Sequence, residues 1–229
     1  LISIEGLHSY LTHGYAIDNL SLIDGVKSVK PGDFFIIDCN TFELKRKSFW
    51  SPIKINNNKD PKNPKSPKGL KESVEKLDLL LLESVDRQLR SDVPVAVMLS
   101  GGVDSSLITA YAAKSIDRLN TFTVSFPGYK EFDESRSAQL IASHFSTNHT
   151  VIDGVAIQPE ILEEIVENLD TPIIDSSLIP TYILYKEVSK KYKVAIGGDG
   201  ADELFGGYKH YSRFLRLSDY SILAELSMK

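Results

Sequence analysis

Apolar and polar positions along this 229-residue chain follow two rhythms. Over residues 70–90, Val74, Leu77, Leu81, Val85 and Leu89 recur every three or four positions, the spacing of one helix face. Val93-Pro94-Val95-Ala96-Val97-Met98-Leu99 is then apolar without a break, which marks a strand buried on both faces. Beyond it the pattern predicts a helix over 105–116, a strand over 121–126, a helix over 133–144 and a strand over 148–152. Helices over 158–168 and 178–191 and a strand over 193–196 follow. Such alternation predicts an α/β fold, a parallel sheet with helices on both faces. Ligands of these sheets sit beyond the carboxyl ends of the strands.

The first fifty residues read differently, as a short helix and two or three strands. Residues 33–38 and 43–50 are placed to pair across an Asn40-Thr41 turn. Residues 55–69, INNNKDPKNPKSPKG, have almost nothing apolar to bury and predict a flexible, solvated linker. The chain therefore divides into a lead-in over 1–54, a linker over 55–69 and a larger domain over 70–229.

Composition narrows the partners. A hydrophobic content of 42% is enough for a core. With 26 basic and 31 acidic residues and no basic block interleaved with aromatics, nucleic acid is not the expected partner. No apolar stretch approaches the roughly 20 residues of a membrane span, and no signal peptide is evident. The single cysteine excludes an intrachain disulfide, and together these features predict a cytoplasmic protein. Cys39 closes the strand-like run Phe34-Phe35-Ile36-Ile37-Asp38-Cys39 and reads as a packed core thiol. The five histidines form no zinc-binding pattern.

The chemistry gathers at two glycine-rich junctions. Ser100-Gly101-Gly102-Val103-Asp104-Ser105-Ser106 joins the apolar strand to a helix. Glycines there bring bare N–H groups close to a ligand, and the helix N-terminus favours phosphate. Asp104 is an acid where a phosphate is expected, which makes sense with Mg²⁺ between the two. Walker A is excluded, since no Gly-Lys-Ser/Thr follows. Gly197-Gly198-Asp199-Gly200-Ala201-Asp202-Glu203-Leu204-Phe205-Gly206-Gly207-Tyr208 follows the last strand. Asp104 and Asp202, from two strand ends, are placed to share one Mg²⁺. Plain turn and helix capping is the alternative at both junctions.

The string S-G-G-V-D-S resembles the pyrophosphate loop of the N-type ATP pyrophosphatases. Paired with G-D-G-A-D-E-L-F-G-G-Y, it resembles the synthetase domain of glutamine-dependent asparagine synthetases. Residues 170–182 look like that family's amino-acid pocket, and 121–126 like the strand whose backbone meets adenine. The resemblance implies an adenine nucleotide alpha hydrolase-like, Rossmann-like PP-loop fold. It also implies ATP-dependent adenylation of aspartate and amidation by ammonia, giving asparagine, AMP and pyrophosphate. ATP and pyrophosphate contacts fall on Ser100, Gly101, Gly102, Asp104, Ser105, Val124 and Gly198, and metal contacts on Asp104 and Asp202. Ser177 and Thr181 are the candidates for the amino-acid substrate, with helix capping an equal reading of Ser177. Asp199 is the candidate for positioning the ammonia nucleophile or accepting its proton. Asp202 acts beside it through the metal. Glu131, Asp133 and Glu134 read as caps of the next helix, and Tyr208 as packing.

The family's N-terminal glutaminase domain, with its first-residue Cys, and its distal catalytic Lys have no counterpart in the sequence. The expectation is a chain truncated at both ends and inactive alone, with a glutaminase domain and a homodimer in the parent protein. Two other readings stay open: a β-lactam synthetase-like amide-forming enzyme, and a nucleotide-binding module without turnover.

Overall fold

The computed structural model describes residues 1–51, 67–129, 131, 133–154 and 159–213. Two compact units form: residues 1–69 with 157–179, and residues 70–156 with 180–229.

The first unit opens with helix α1 (Ile4–His13), capped where the Ser3 hydroxyl oxygen accepts the Gly6 N–H at 3.1 Å. Strands β1 (Asp33–Ile37) and β2 (Leu44–Ser48) pair antiparallel, with Asp33 opposite Ser48 and Ile37 opposite Leu44. The expected hairpin is present. Asp38 ends β1, because its Oδ1 accepts the N–H groups of Asn40 at 2.9 Å and Thr41 at 2.8 Å. The Thr41 and Asn40 amides hold the Asp38 carboxyl below the usual carboxylate range. Cys39 lies inside this turn and is exposed, so it is not the packed core thiol the apolar run predicts. The side-chain turn ends the strand at Ile37, two residues before Cys39. Helix α5 (Pro159–Glu167) belongs to this unit and buries Ile165.

Helix α2 (Pro67–Leu89) begins within the segment expected to be linker. Proline suits a first helical position, where its missing N–H has no intrahelical partner to lose. Residues 55–66 of that segment lie outside the described residues. The rest of the second unit is β3 (Val95–Met98), α3 (Val103–Ser115), β4 (Asn120–Ser125), α4 (Ser135–His144) and β5 (Asn148–Asp153). Helix α6 (Leu178–Val188), strand β6 (Val194–Ile196) and helix α7 (Ala201–Phe205) follow. The four strands are parallel, in the order β5-β4-β3-β6. The chain winds outward from β3 through β4 to β5, then returns to add β6 on the other side of β3. That reversal makes a switch point at the carboxyl ends of β3 and β6.

The pleat of β3 explains its unbroken apolar run. Val95 and Val97 point into a core with Val85 of α2, Tyr111 and Ala112 of α3, and Ile196. Ala96 and Met98 point the other way, to Phe122 and Val188 of α6. Helices therefore cover both faces, as the alternation predicts. On α2 only the second half of the periodic face is covered: Val85 is buried and Leu81 and Leu89 pack beside it. Val74 and Leu77 remain exposed. Tyr111 ties α3 to α2, its hydroxyl donating to Asp78 Oδ1 at 2.6 Å, and this bond pushes its pKa up to about 12.

Candidate functional site

Both glycine-rich junctions lie at the switch point. In the first, Gly101 turns the chain with φ of +86°, a conformation that suits glycine. A β-carbon there would lie 2.7 Å from the Ala138 nitrogen and from Ser137 Cβ, so the loop rests on the first turn of α4. Ser105, buried at 7% exposure, locks the loop from within. Its Oγ accepts the Ser100 N–H at 3.2 Å, lies 2.9 Å from Ser100 Oγ and donates to the Gly102 carbonyl at 3.3 Å. Ser100 Oγ accepts the Gly102 N–H at 3.2 Å. Helix α3 starts at Val103, two residues before the predicted start, which brings Asp104 into its first turn. No side chain caps this helix, so its leading N–H groups remain for an incoming acceptor.

The second junction approaches the first directly. A β-carbon on Gly198 would lie 2.8 Å from the Ser105 nitrogen and 2.9 Å from Asp104 Cβ. Direct pairing of β3 with β6, Val97 opposite Ile196, sets this approach. Asp199 follows, exposed. Burial, and then the Asp199 charge, push the Tyr185 hydroxyl pKa up. Tyr185 was not among the expected site residues, and its place on α6 leaves no motif in the sequence. Asp202, half-buried in the first turn of α7, lies with its carboxylate against Gly207. The Tyr208 hydroxyl donates to Glu203 Oε1 at 2.8 Å and is pushed up to about 12 by that bond. The residue is 40% exposed, and its ring stacks on His210 at 5.3 Å.

On the other side of β3, the Leu99 N–H donates to the Phe122 carbonyl at 2.8 Å, and half-buried Val124 lies two residues further along β4. Strand β4 ends at Ser125, whose Oγ donates to Asp133 Oδ2 at 2.8 Å. Asp133 Oδ1 accepts the Ser135 N–H at 3.0 Å, and contacts with Ser135 hold this carboxyl below the usual range. Asp133 thus performs the capping expected of the acidic group, whereas Glu134 gives no side-chain cap. Asp175 accepts the Ser177 N–H at 2.8 Å and is the turn-forming acid ahead of α6. The Ser177 amide lowers the Asp175 pKa. Ser177 and Thr181 are both exposed, and fall in the first and second units respectively. The described residues hold no cluster of three or more acidic, His or Cys side chains fit to bind a metal.

A parallel α/β domain with two glycine-rich loops meeting at its switch point, one leading into an uncapped helix, has the architecture of a nucleotide-phosphate binder. The chain belongs to the asparagine synthase family, whose model matches residues 76–227. Asparagine synthetase [glutamine-hydrolyzing] 1 of Bacillus subtilis is 33% identical over 224 residues, 96% of this chain and 33% of that protein. A putative asparagine synthetase [glutamine-hydrolyzing] of Mycobacterium tuberculosis is 39% identical over 153 residues, 65% of this chain and 23% of that protein. The chain thus spans about a quarter to a third of the length of these relatives. Among solved structures, an NH3-dependent NAD synthetase from Campylobacter jejuni matches with a TM-score of 0.41 and 19% identity, over 58% of this chain and 60% of that one. That likeness is too slight to carry an argument. No described helix is long and apolar enough to cross a membrane.

Proposed function

We propose that the second unit binds Mg·ATP at the switch point and serves the adenylation step of asparagine synthesis. The carrying observation is the close approach of Gly198 to Asp104 and Ser105, which joins the two glycine-rich loops at one uncapped helix N-terminus. The loop over 100–106 receives the phosphates, and Val124 lies on the strand that meets adenine. Asp104 and Asp202 hold Mg²⁺, which neutralises charge on the leaving pyrophosphate. An aspartate carboxylate oxygen bonds to the α-phosphorus as the bond to pyrophosphate breaks. Ammonia then displaces AMP, with Asp199 orienting it or taking its proton. Thr181, in the same unit, serves the amino acid. The relatives' printed description, glutamine-hydrolyzing, supports glutamine as nitrogen source through a glutaminase domain of the longer protein. The relatives' names favour this reading over a β-lactam synthetase-like one.

Calorimetric titration with Mg·ATP tests the binding step. Asp104→Ala is expected to weaken affinity by about 1–3 kcal/mol, the scale of one lost charged contact. Unchanged affinity in a folded Asp104→Ala variant removes the assignment. Aspartate-dependent ATP–pyrophosphate exchange then separates the enzyme from a binding module without turnover. Asp202→Asn should depress the exchange more than Asp199→Asn does.

A further inference from the structure

We infer that Asp133 is a positioning residue for the pyrophosphate loop, holding in place the helix turn on which Gly101 rests. This inference rests on the nucleotide reading above, and it is carried by a continuous set of contacts within one unit. Each Asp133 oxygen has its own task. Oδ2 takes the hydroxyl of Ser125, itself buried at the end of β4, at 2.8 Å, and Oδ1 takes the Ser135 N–H that opens α4 at 3.0 Å. The carboxylate therefore clamps the carboxyl end of one strand to the first turn of the next helix. Ser137 and Ala138 belong to that turn, and both lie 2.7 Å from where a β-carbon on Gly101 would be. Leu99, the residue before the loop, packs on Ala138 and Ala142 of the same helix. The loop thus has a floor, and the floor is pinned at its leading edge by Asp133. A slack first turn would let the backbone of 100–102 drift from the phosphate position, because Gly101 has no side chain of its own to anchor it.

The chemistry supplies a sharp comparison. Asn at 133 keeps the ties to the Ser135 N–H and to Ser125: its oxygen accepts the former, and its amide donates to Ser125 Oγ, which turns acceptor. Ala keeps neither. Hydrogen exchange of the ligand-free chain reads the positioning directly, and titration with pyrophosphate and with adenosine reads its consequence. In Asp133→Ala the amides of 100–106 should exchange faster, while those of β6 keep their rate. Pyrophosphate affinity should fall about tenfold, adenosine affinity should hold, and Asp133→Asn should restore both readings. Unaltered exchange over 100–106 in Asp133→Ala overturns the inference, as does an equal fall in pyrophosphate and adenosine affinity. Failure of Asp133→Asn to restore the loop does the same. Ser125→Ala removes one of these ties and gives the same test, with a smaller effect, should the Ala variant at 133 not fold. If the unaltered chain binds no pyrophosphate, the nucleotide reading fails, and exchange alone decides the role of Asp133.

Discussion

At the residue scale, the site depends on how closely two backbones approach. A methyl group on Gly198 would meet the Ser105 nitrogen and Asp104 Cβ, both fixed on the first turn of α3, so nothing flexible is there to yield. Overpacking of this kind costs about 1–3 kcal/mol. Gly198→Ala is expected to lower the thermal midpoint and weaken Mg·ATP binding together, measured by calorimetry on the same preparation. An unchanged midpoint and affinity would show that the loops do not meet this tightly in solution. The sequence displays the glycines as a cluster, yet gives no sign of which one lies against α3. The same holds for Ser105. Its place in S-G-G-V-D-S suggests a hydroxyl for the ligand, whereas its contacts with Ser100 and Gly102 tie the loop to itself.

At the scale of elements, the Tyr111 hydroxyl bond to Asp78 joins α2 to α3 across 33 residues of sequence. Its pKa is raised from the ordinary 10.0 to about 12, so the fold favours the protonated phenol. The stabilisation is whole below the unfolded pKa near 10.0 and is lost as pH rises toward about 12. Tyr111→Phe is expected to cost about 0.5–1.5 kcal/mol at neutral pH, the worth of one hydrogen bond. Urea unfolding of both proteins should show that difference shrinking between pH 10 and 12. A difference that stays constant across this window sinks the assignment. Helices and strands were legible from periodicity because buried faces need apolar residues at fixed spacing. Their ends were less so: α4 starts at Ser135, two residues after the periodic pattern suggests, where Asp133 takes the leading N–H. Likewise the exposed first half of the α2 stripe shows that helical spacing marks a face able to be buried, without marking what covers it.

At the scale of the whole molecule, the apolar core is unevenly shared. Of the buried hydrophobic residues among those described, all but Ile165 lie in the second unit. The β1–β2 hairpin carries Phe34, Phe35, Ile36 and Ile37 at 38% exposure or more. An isolated two-stranded pair is marginal in water. Native-state hydrogen exchange is therefore expected to open β1 and β2 at a much lower free energy than β3 and β4. Equal protection in both sheets would contradict this ranking.

By itself, the sequence determined the α/β class, the lead-in hairpin and the two loops that mark the candidate site. Each of these follows from local rules: the period of apolar residues, turn chemistry, and glycines next to acids at strand ends. The tertiary structure decided what depends on contact between distant segments. Pairing of β6 with β3 brings Gly198 to Asp104, and the packing of Leu99 on Ala138 sets the first glycine-rich loop over α4. Cys39 is a different case: the Asp38 turn that carries it is local, and the apolar run before it hides that turn in the sequence. Local periodicity records which residues tolerate burial, and only the folded chain settles which neighbours they meet.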